Sequence, residues 1–198
     1  MAQKRAKATK SKQREATRAR RAGTKIVRKS ATRAVKSLAV ARVASSLMAS
    51  SIVEDHLAIL QLLHKYCHAV DRGTADEVAA LFHRTAVLLP RYESDKRHEG
   101  REAVRAWYQN YMEKFRTTVR YLRHKIESPV IEITGNEATS VCYLDADAIT
   151  VAINEAIIVF GRYDDKFIKD EGRWWFKERT IITYYTSPLA MYREGRGA

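Results

Sequence analysis

The sequence predicts an α+β domain in which helices come first and a long, mainly antiparallel sheet follows. Three observations carry the prediction. Apolar residues recur at three- and four-residue spacing in three stretches that end by residue 115. Four long stretches rich in β-branched and aromatic residues then run from 119 to 186. Gly135-Asn136 and Glu171-Gly172 punctuate them as hairpin turns. Three N-terminal helices packed on one face of a strongly curved, mainly antiparallel sheet make a cone with a pocket inside.

The first helix is expected over Ile52 to Val70, where Ile59, Leu62, Leu63, Tyr66 and Val70 fall within about 60° of one direction on the helical wheel. Asp71-Arg72-Gly73 ends it. Thr74 or Asp76 is placed to cap a second helix running to Phe82, and Thr85 to Arg91 reads as a short strand stopped by Pro90. A third helix is expected over Arg101 to Phe115, with Val104, Trp107, Tyr108, Tyr111 and Met112 on its inward face. Strands follow near Val119 to Ile133, Ala138 to Ala152, Ala156 to Lys169 and Arg173 to Thr186. Along the second of these, Ala138, Cys142, Leu144, Ala146 and Ala148 mark one apolar face, which places Asp145 and Asp147 on the other unless a bulge changes the parity. By the same alternation Tyr163, Asp165 and Phe167 share a face, and Arg179 lies opposite Trp174 unless a bulge intervenes.

The net charge of +13 is unevenly placed: residues 1–50 hold 15 of the 36 Lys/Arg and one of the 23 acids, leaving 21 basic and 22 acidic residues for the remainder. The domains expected are therefore a basic extension over 1–50, disordered or partly helical, a folded domain over 51–190, and a short tail over 191–198. A weak basic amphipathic helix is expected around Val35, Leu38, Val43 and Leu47. The extension lacks aromatic residues, so any nucleic-acid binding by residues 1–50 would be electrostatic and non-specific; a transit sequence and a solubilising extension are the other readings. Two cysteines, Cys67 and Cys142, suit a reducing, cytoplasmic setting, and no apolar run is long enough to span a membrane. His64 and His68 stand four apart but point away from the buried stripe, so no metal site is expected there, and His83 and His98 read as surface residues.

The run Ile59-x-x-Leu62-Leu63-x-x-Tyr66-Cys67-x-x-Val70-Asp71-Arg72-Gly73 carries a family signature together with Leu81-Phe82, Glu99-Gly100-Arg101, Arg123-His124, Gly161-Arg162-Tyr163-Asp164-Asp165 and Gly172-Arg173-Trp174. In order and spacing these resemble the SnoaL-like branch of the nuclear transport factor 2-like superfamily, of the scytalone dehydratase and bile acid 7α-dehydratase type. The resemblance implies a cone-shaped barrel, dimeric through the outer face of its sheet, that needs no cofactor. It places a catalytic histidine at His124, its aspartate at Asp71 and a hydroxyl donor at Tyr66. It also implies substrate contacts from Arg179 and from Asp145 or Asp147, and Tyr163 and Trp107 are further candidates for the pocket wall.

An aspartate that accepts from one ring nitrogen of histidine fixes its tautomer, leaving the other nitrogen free to remove a proton. With Tyr66 donating to an oxygen on which charge develops, such a pocket can eliminate water from a substrate. The expected function is a cofactor-independent lyase or isomerase acting on a hydrophobic oxygenated ring compound of steroid, polyketide or aromatic type. The alternative is a non-catalytic ligand-binding or assembly module whose basic tail recruits nucleic acid.

Overall fold

The computed structural model describes residues 51–187 and, ahead of them, residues 14, 18, 20, 42 and 45, each of them helical. Backbone contacts divide the chain into the units Met1–Ser51 and Ile52–Ala198. The elements named below belong to the second unit, save Ser51 at the head of the first helix. Apart from those five positions, the readings of the first fifty residues, including the amphipathic helix around Val35 to Leu47, lie outside the described residues, as does the tail over 191–198.

Residues 51–72 form helix α1. The stripe read from the sequence is its buried face: Ile59, Leu62, Leu63, Tyr66 and Val70 are all buried, while His64 and His68 are exposed. The helix stops at Gly73, whose N–H donates to Ala69 O at 2.9 Å. A Cβ on Gly73 would lie 2.8 Å from that same oxygen, so the close return of the chain requires glycine. Arg116 then donates to Val70 O at 3.3 Å and Gly73 O at 2.6 Å, satisfying carbonyls that the helix end leaves open.

Thr74 caps α2 (Ala75–Ala79) through a capping box with Glu77. The sequence carried this helix on to Phe82, but Phe82 instead opens strand β1 (Phe82–Pro90), where its ring packs against Phe176 at 5.0 Å. Tertiary packing overrides helical periodicity at that point. Strand β2 (His98–Glu99), too short to leave a pattern in the sequence, leads into α3 (Arg101–Lys114) and a 3-10 turn (Arg116–Thr118). Four long strands follow: β3 (Val119–Thr134), β4 (Glu137–Thr150), β5 (Ala156–Asp170) and β6 (Arg173–Ser187).

The six strands form one sheet in the order β2-β1-β6-β5-β4-β3, antiparallel except between β1 and β6. The sheet is open rather than closed into a barrel. Its terminal strand β2 has only two residues, too few to pair along the length of β3 at the other edge. Side chains from all three helices and from the inner face of β1, β4, β5 and β6 form one apolar cluster.

Two strands owe their facing to bulges. On β3, Arg120 pairs with Ile149 and Arg123 with Asp147, so one residue is extra, and Tyr121 takes φ +59° there. On β6, Phe176 pairs with Phe167 and Glu178 with Lys166, which leaves Lys177 as the extra residue. Both irregularities reverse the alternation for the residues beyond them. His83, expected at the surface, is buried instead, with Nδ1 2.9 Å from Thr85 Oγ1 and Nε2 3.2 Å from Asp170 Oδ2.

Candidate active site

A cavity of about 640 Å³ lies between the helices and the inner face of the sheet, within the usual range for small-molecule sites. Its helical wall is made by Tyr66 and Val70 of α1 and by Trp107, Tyr108 and Tyr111 of α3. Its sheet wall includes His124, Leu144, Ala146, Tyr163 and Ile181. The walls are more apolar than polar, with Glu93, Lys114, His124 and Asp147 the ionisable groups among the described residues in them besides the tyrosines.

One of them, His124, is paired with Asp71 behind it. Asp71 stands on the last turn of α1, where the Gly73 stop and Arg116 hold the chain. His124 stands on β3 just beyond the Tyr121 bulge, which turns Leu122, His124 and Ile126 inward. His124 Nδ1 lies 2.6 Å from Asp71 Oδ1, and the backbone N–H of His124 donates to both carboxylate oxygens at 3.1 Å. Three contacts to one residue fix the carboxylate and the ring together. The Nδ1 proton is thereby committed to Asp71, and among the described residues no side chain bonds Nε2. That nitrogen is left as an acceptor on a residue that borders the cavity.

Tyr66 is buried at the cavity wall, its hydroxyl 2.6 Å from that of Tyr108. Burial raises the Tyr66 phenol above its ordinary value, opposed by the charge of Arg179 and the hydrogen bond with Tyr108. Burial also pushes Tyr108 and Tyr163 well above theirs. All three are hydroxyl donors rather than phenolates near neutral pH.

Tyr163 borders the cavity with its ring 5.6 Å from that of Tyr66, and Trp107 borders it while donating to Glu93 Oε2 at 3.0 Å. Arg179 faces inward as the resemblance implies, but it is not open to a ligand. The Lys177 bulge turns it inward, opposite to simple alternation, and it is wholly buried rather than open to a ligand. Its guanidinium lies 3.9 Å from the Tyr66 ring, 4.1 Å from Tyr163 and 4.2 Å from Phe176. It donates through Nε and Nη2 to Asp165 at 2.7 Å each, and Nη1 has no partner. Arg179 therefore acts on the cavity through the two tyrosines it backs. Burial works against its charge, yet Asp165 holds its pKa well above the ordinary value.

Asp145 and Asp147 keep the parity opposite to the apolar face of β4, which pairs with β5 in unbroken register, although Asp147 still reaches the edge of the cavity. Asp147 is ion-paired with Arg123 at 2.8 Å and Lys125 at 3.1 Å, and of the two only Asp147 borders the cavity. The carboxylate inside the molecule is Asp165. Its signal was the inward parity it shares with Tyr163 and Phe167, a position at which a charge demands a partner. Tyr108 was legible only as part of a helical stripe. Glu93 lies in a loop without periodicity and had no signal.

Among the described residues no cluster of three or more potential metal ligands occurs. No helix among them is long and apolar enough to cross a membrane.

An α+β chain with a six-stranded sheet, helices over one face and a polar pair at the cavity between them has the fold of the nuclear transport factor 2-like superfamily. Within it, the chain belongs to the SnoaL-like domain family, whose model matches residues 51–180. A protein from Novosphingobium aromaticivorans, provisionally named a scytalone dehydratase, is similar over 75% of this chain and 99% of its own, at 22% identity and a TM-score of 0.63. A hexachlorocyclohexane dehydrochlorinase is similar over 71% of this chain and 93% of its own, at 17% identity and a TM-score of 0.60. A Mycobacterium tuberculosis protein of unknown function is similar over 69% and 75%, at 22% identity and a TM-score of 0.59. At these identities the likeness establishes the fold. No curated protein matches the sequence.

Proposed function

We propose that the chain is a cofactor-independent, dehydratase-like lyase or isomerase acting on a hydrophobic, oxygenated ring compound of steroid, polyketide or aromatic type. The observation that carries the proposal is the Asp71–His124 contact of 2.6 Å at the wall of a cavity that is more apolar than polar. Asp71 holds the His124 tautomer with Nε2 unprotonated, so Nε2 takes a proton from substrate carbon and Asp71 stabilises the imidazolium that forms. Tyr66 donates to the substrate oxygen that becomes negative. The similar structures include proteins named for dehydration and dehydrochlorination, both eliminations, which supports the reaction class.

Replacing His124 by Ala or Asp71 by Asn is expected to lower kcat/KM by about 10²- to 10⁴-fold on any substrate turned over, while the protein stays folded. Unchanged turnover in both variants would rule the pair out as the acid-base device. The basic extension favours a second reading, an assembly module in which residues 1–50 bind nucleic acid non-specifically. The His124 and Asp71 variants separate the two readings, and a salt titration of full-length and tail-deleted protein on duplex DNA tests the tail, with tight, salt-sensitive binding expected only of the full-length chain. We further infer a homodimer through the outer face of the sheet, where Val130, Val141 and Tyr143 are exposed. Buried, unbonded Cys67 and Cys142 suit a reducing cytoplasmic setting.

A further inference from the structure

We propose that Thr85 is a nucleophile, activated by His83 and Asp170, that takes an acyl group from an activated ester or thioester at a site outside the cavity. The proposal is independent of the lyase reading, because none of the residues it uses borders the cavity.

A break in strand pairing builds the site. From Phe82 to Val87 strand β1 advances five residues while its neighbour β6 advances two, from Phe176 to Glu178, so residues 83–86 are not set against partners on β6. Outside the ladder, the Thr85 N–H donates to His83 Nδ1 at 3.3 Å, and the Thr85 hydroxyl lies 2.9 Å from the same nitrogen. His83 Nε2 lies 3.2 Å from Asp170 Oδ2 at the end of β5. Lys177, the extra residue of β6, donates through Nζ to Thr85 Oγ1 at 2.7 Å. The groups at the two ends of this series settle its protons. Asp170 only accepts, so Nε2 carries the ring proton and Nδ1 is left as an acceptor. Lys177 only donates, so the Thr85 oxygen accepts from it while the Thr85 O–H donates to Nδ1.

Carboxylate, imidazole and hydroxyl in that order are the parts of acyl transfer, recognised by geometry and role and not by their order along the chain. Holding a buried histidine calls for no more than Asp170 and the backbone N–H. The Lys177 ammonium adds something further, since a cation on the hydroxyl favours its ionised form. Thr85 is exposed to reagents, while His83 is shielded from water. In the step this fits, Thr85 Oγ1 forms a bond to the acyl carbon as its proton passes to His83 Nδ1. The carbonyl π pair moves onto the carbonyl oxygen, for which Lys177 is the available cation, and Asp170 stabilises the imidazolium. The oxygen pair then returns to re-form the C=O, and the bond to the leaving oxygen or sulfur breaks. His83 gives its proton to the departing group, so the products are the Thr85 ester and an alcohol or thiol. Water attacking the Thr85 ester by the same route releases a carboxylic acid and the free hydroxyl.

The test uses the full-length protein and 4-nitrophenyl acetate. The wild-type protein is expected to release a burst of nitrophenolate that matches the chain concentration and to gain one acetyl group, which peptide mapping by mass spectrometry places on Thr85. Thr85→Val keeps the side-chain shape and is expected to lose both the burst and the acetyl group. Thr85→Ser keeps the hydroxyl and is expected to retain both. His83→Gln is expected to slow the burst by about 10²- to 10⁴-fold. Because His83 is buried, Asp170→Asn at a partly exposed position provides the second variant, expected to slow the burst at least about tenfold by releasing the ring tautomer. Acetyl groups found only on lysine side chains, or a burst of the same size in Thr85→Val, overturn the nucleophile. Thr85 acetylated at the wild-type rate in Asp170→Asn overturns its activation by the His83–Asp170 pair, and the proposal with it.

Discussion

At the scale of single residues, Arg179 is the costliest side chain to hold in place. It is wholly buried, bonded to a buried carboxylate and covered by three aromatic rings, yet one of its nitrogens has no partner. Removing one member of such a pair leaves an uncompensated charge, so Arg179→Ala is expected to destabilise the protein by about 3–5 kcal/mol in urea unfolding. Arg179→Met with Asp165→Leu removes both charges and is expected to recover most of that loss. A double variant no more stable than the single one would show that the cost lies in ring packing instead. The pair also marks where sequence reading stops. The inward parity of Asp165 followed from alternation, and so did the outward parity of Asp145 and Asp147. Arg179 did not follow, because the bulge at Lys177 that reverses it arises from pairing with β5 and from no local propensity of the Lys177 neighbourhood.

At the scale of elements, the site is an α1 end set against a β3 bulge. The helix was legible because burial itself writes the 3.6-residue period into Ile59, Leu62, Leu63, Tyr66 and Val70. Its end was legible in Gly73. The bulge was not, although His124 faces the cavity only because Tyr121 absorbs the extra residue. Tyr121 carries a cost for this, since it sits at φ +59° with its side chain exposed. Glycine adopts that conformation without the Cβ penalty. Tyr121→Gly is therefore expected to raise stability by up to about 1 kcal/mol and to leave the His124 contact and turnover unchanged. A loss of stability in thermal unfolding would mean that the Tyr121 side chain contributes more than its backbone costs.

At the scale of the whole molecule, the charge is divided: a nearly neutral folded unit carries a strongly basic extension. Within the folded unit, pH acts through bonded carboxylates such as Glu178 on β6. Hydrogen bonds from Lys166 at 2.8 Å and Arg97 at 3.2 Å hold Glu178 below its ordinary pKa despite partial burial. Its folded value is depressed, so its contribution is complete above the ordinary carboxylate value and is lost as pH falls through the lowered one. Glu178→Gln is expected to cost below about 1 kcal/mol at neutral pH and to flatten the acid limb of the stability profile. An acid limb identical to wild type would show that Glu178 is not a contributor.

The two irregular positions of β3, at Tyr121 and at Ser128 with φ +50°, act on a strand that forms one edge of the sheet. An edge strand offers unpaired backbone groups as a template on which a second chain can assemble. A straight incoming strand can match no more than the short stretches between the skipped residues, so growth of that edge stops after a few hydrogen bonds. The feature that aims a histidine into the cavity thus also interrupts the row of backbone groups that an incoming strand would need.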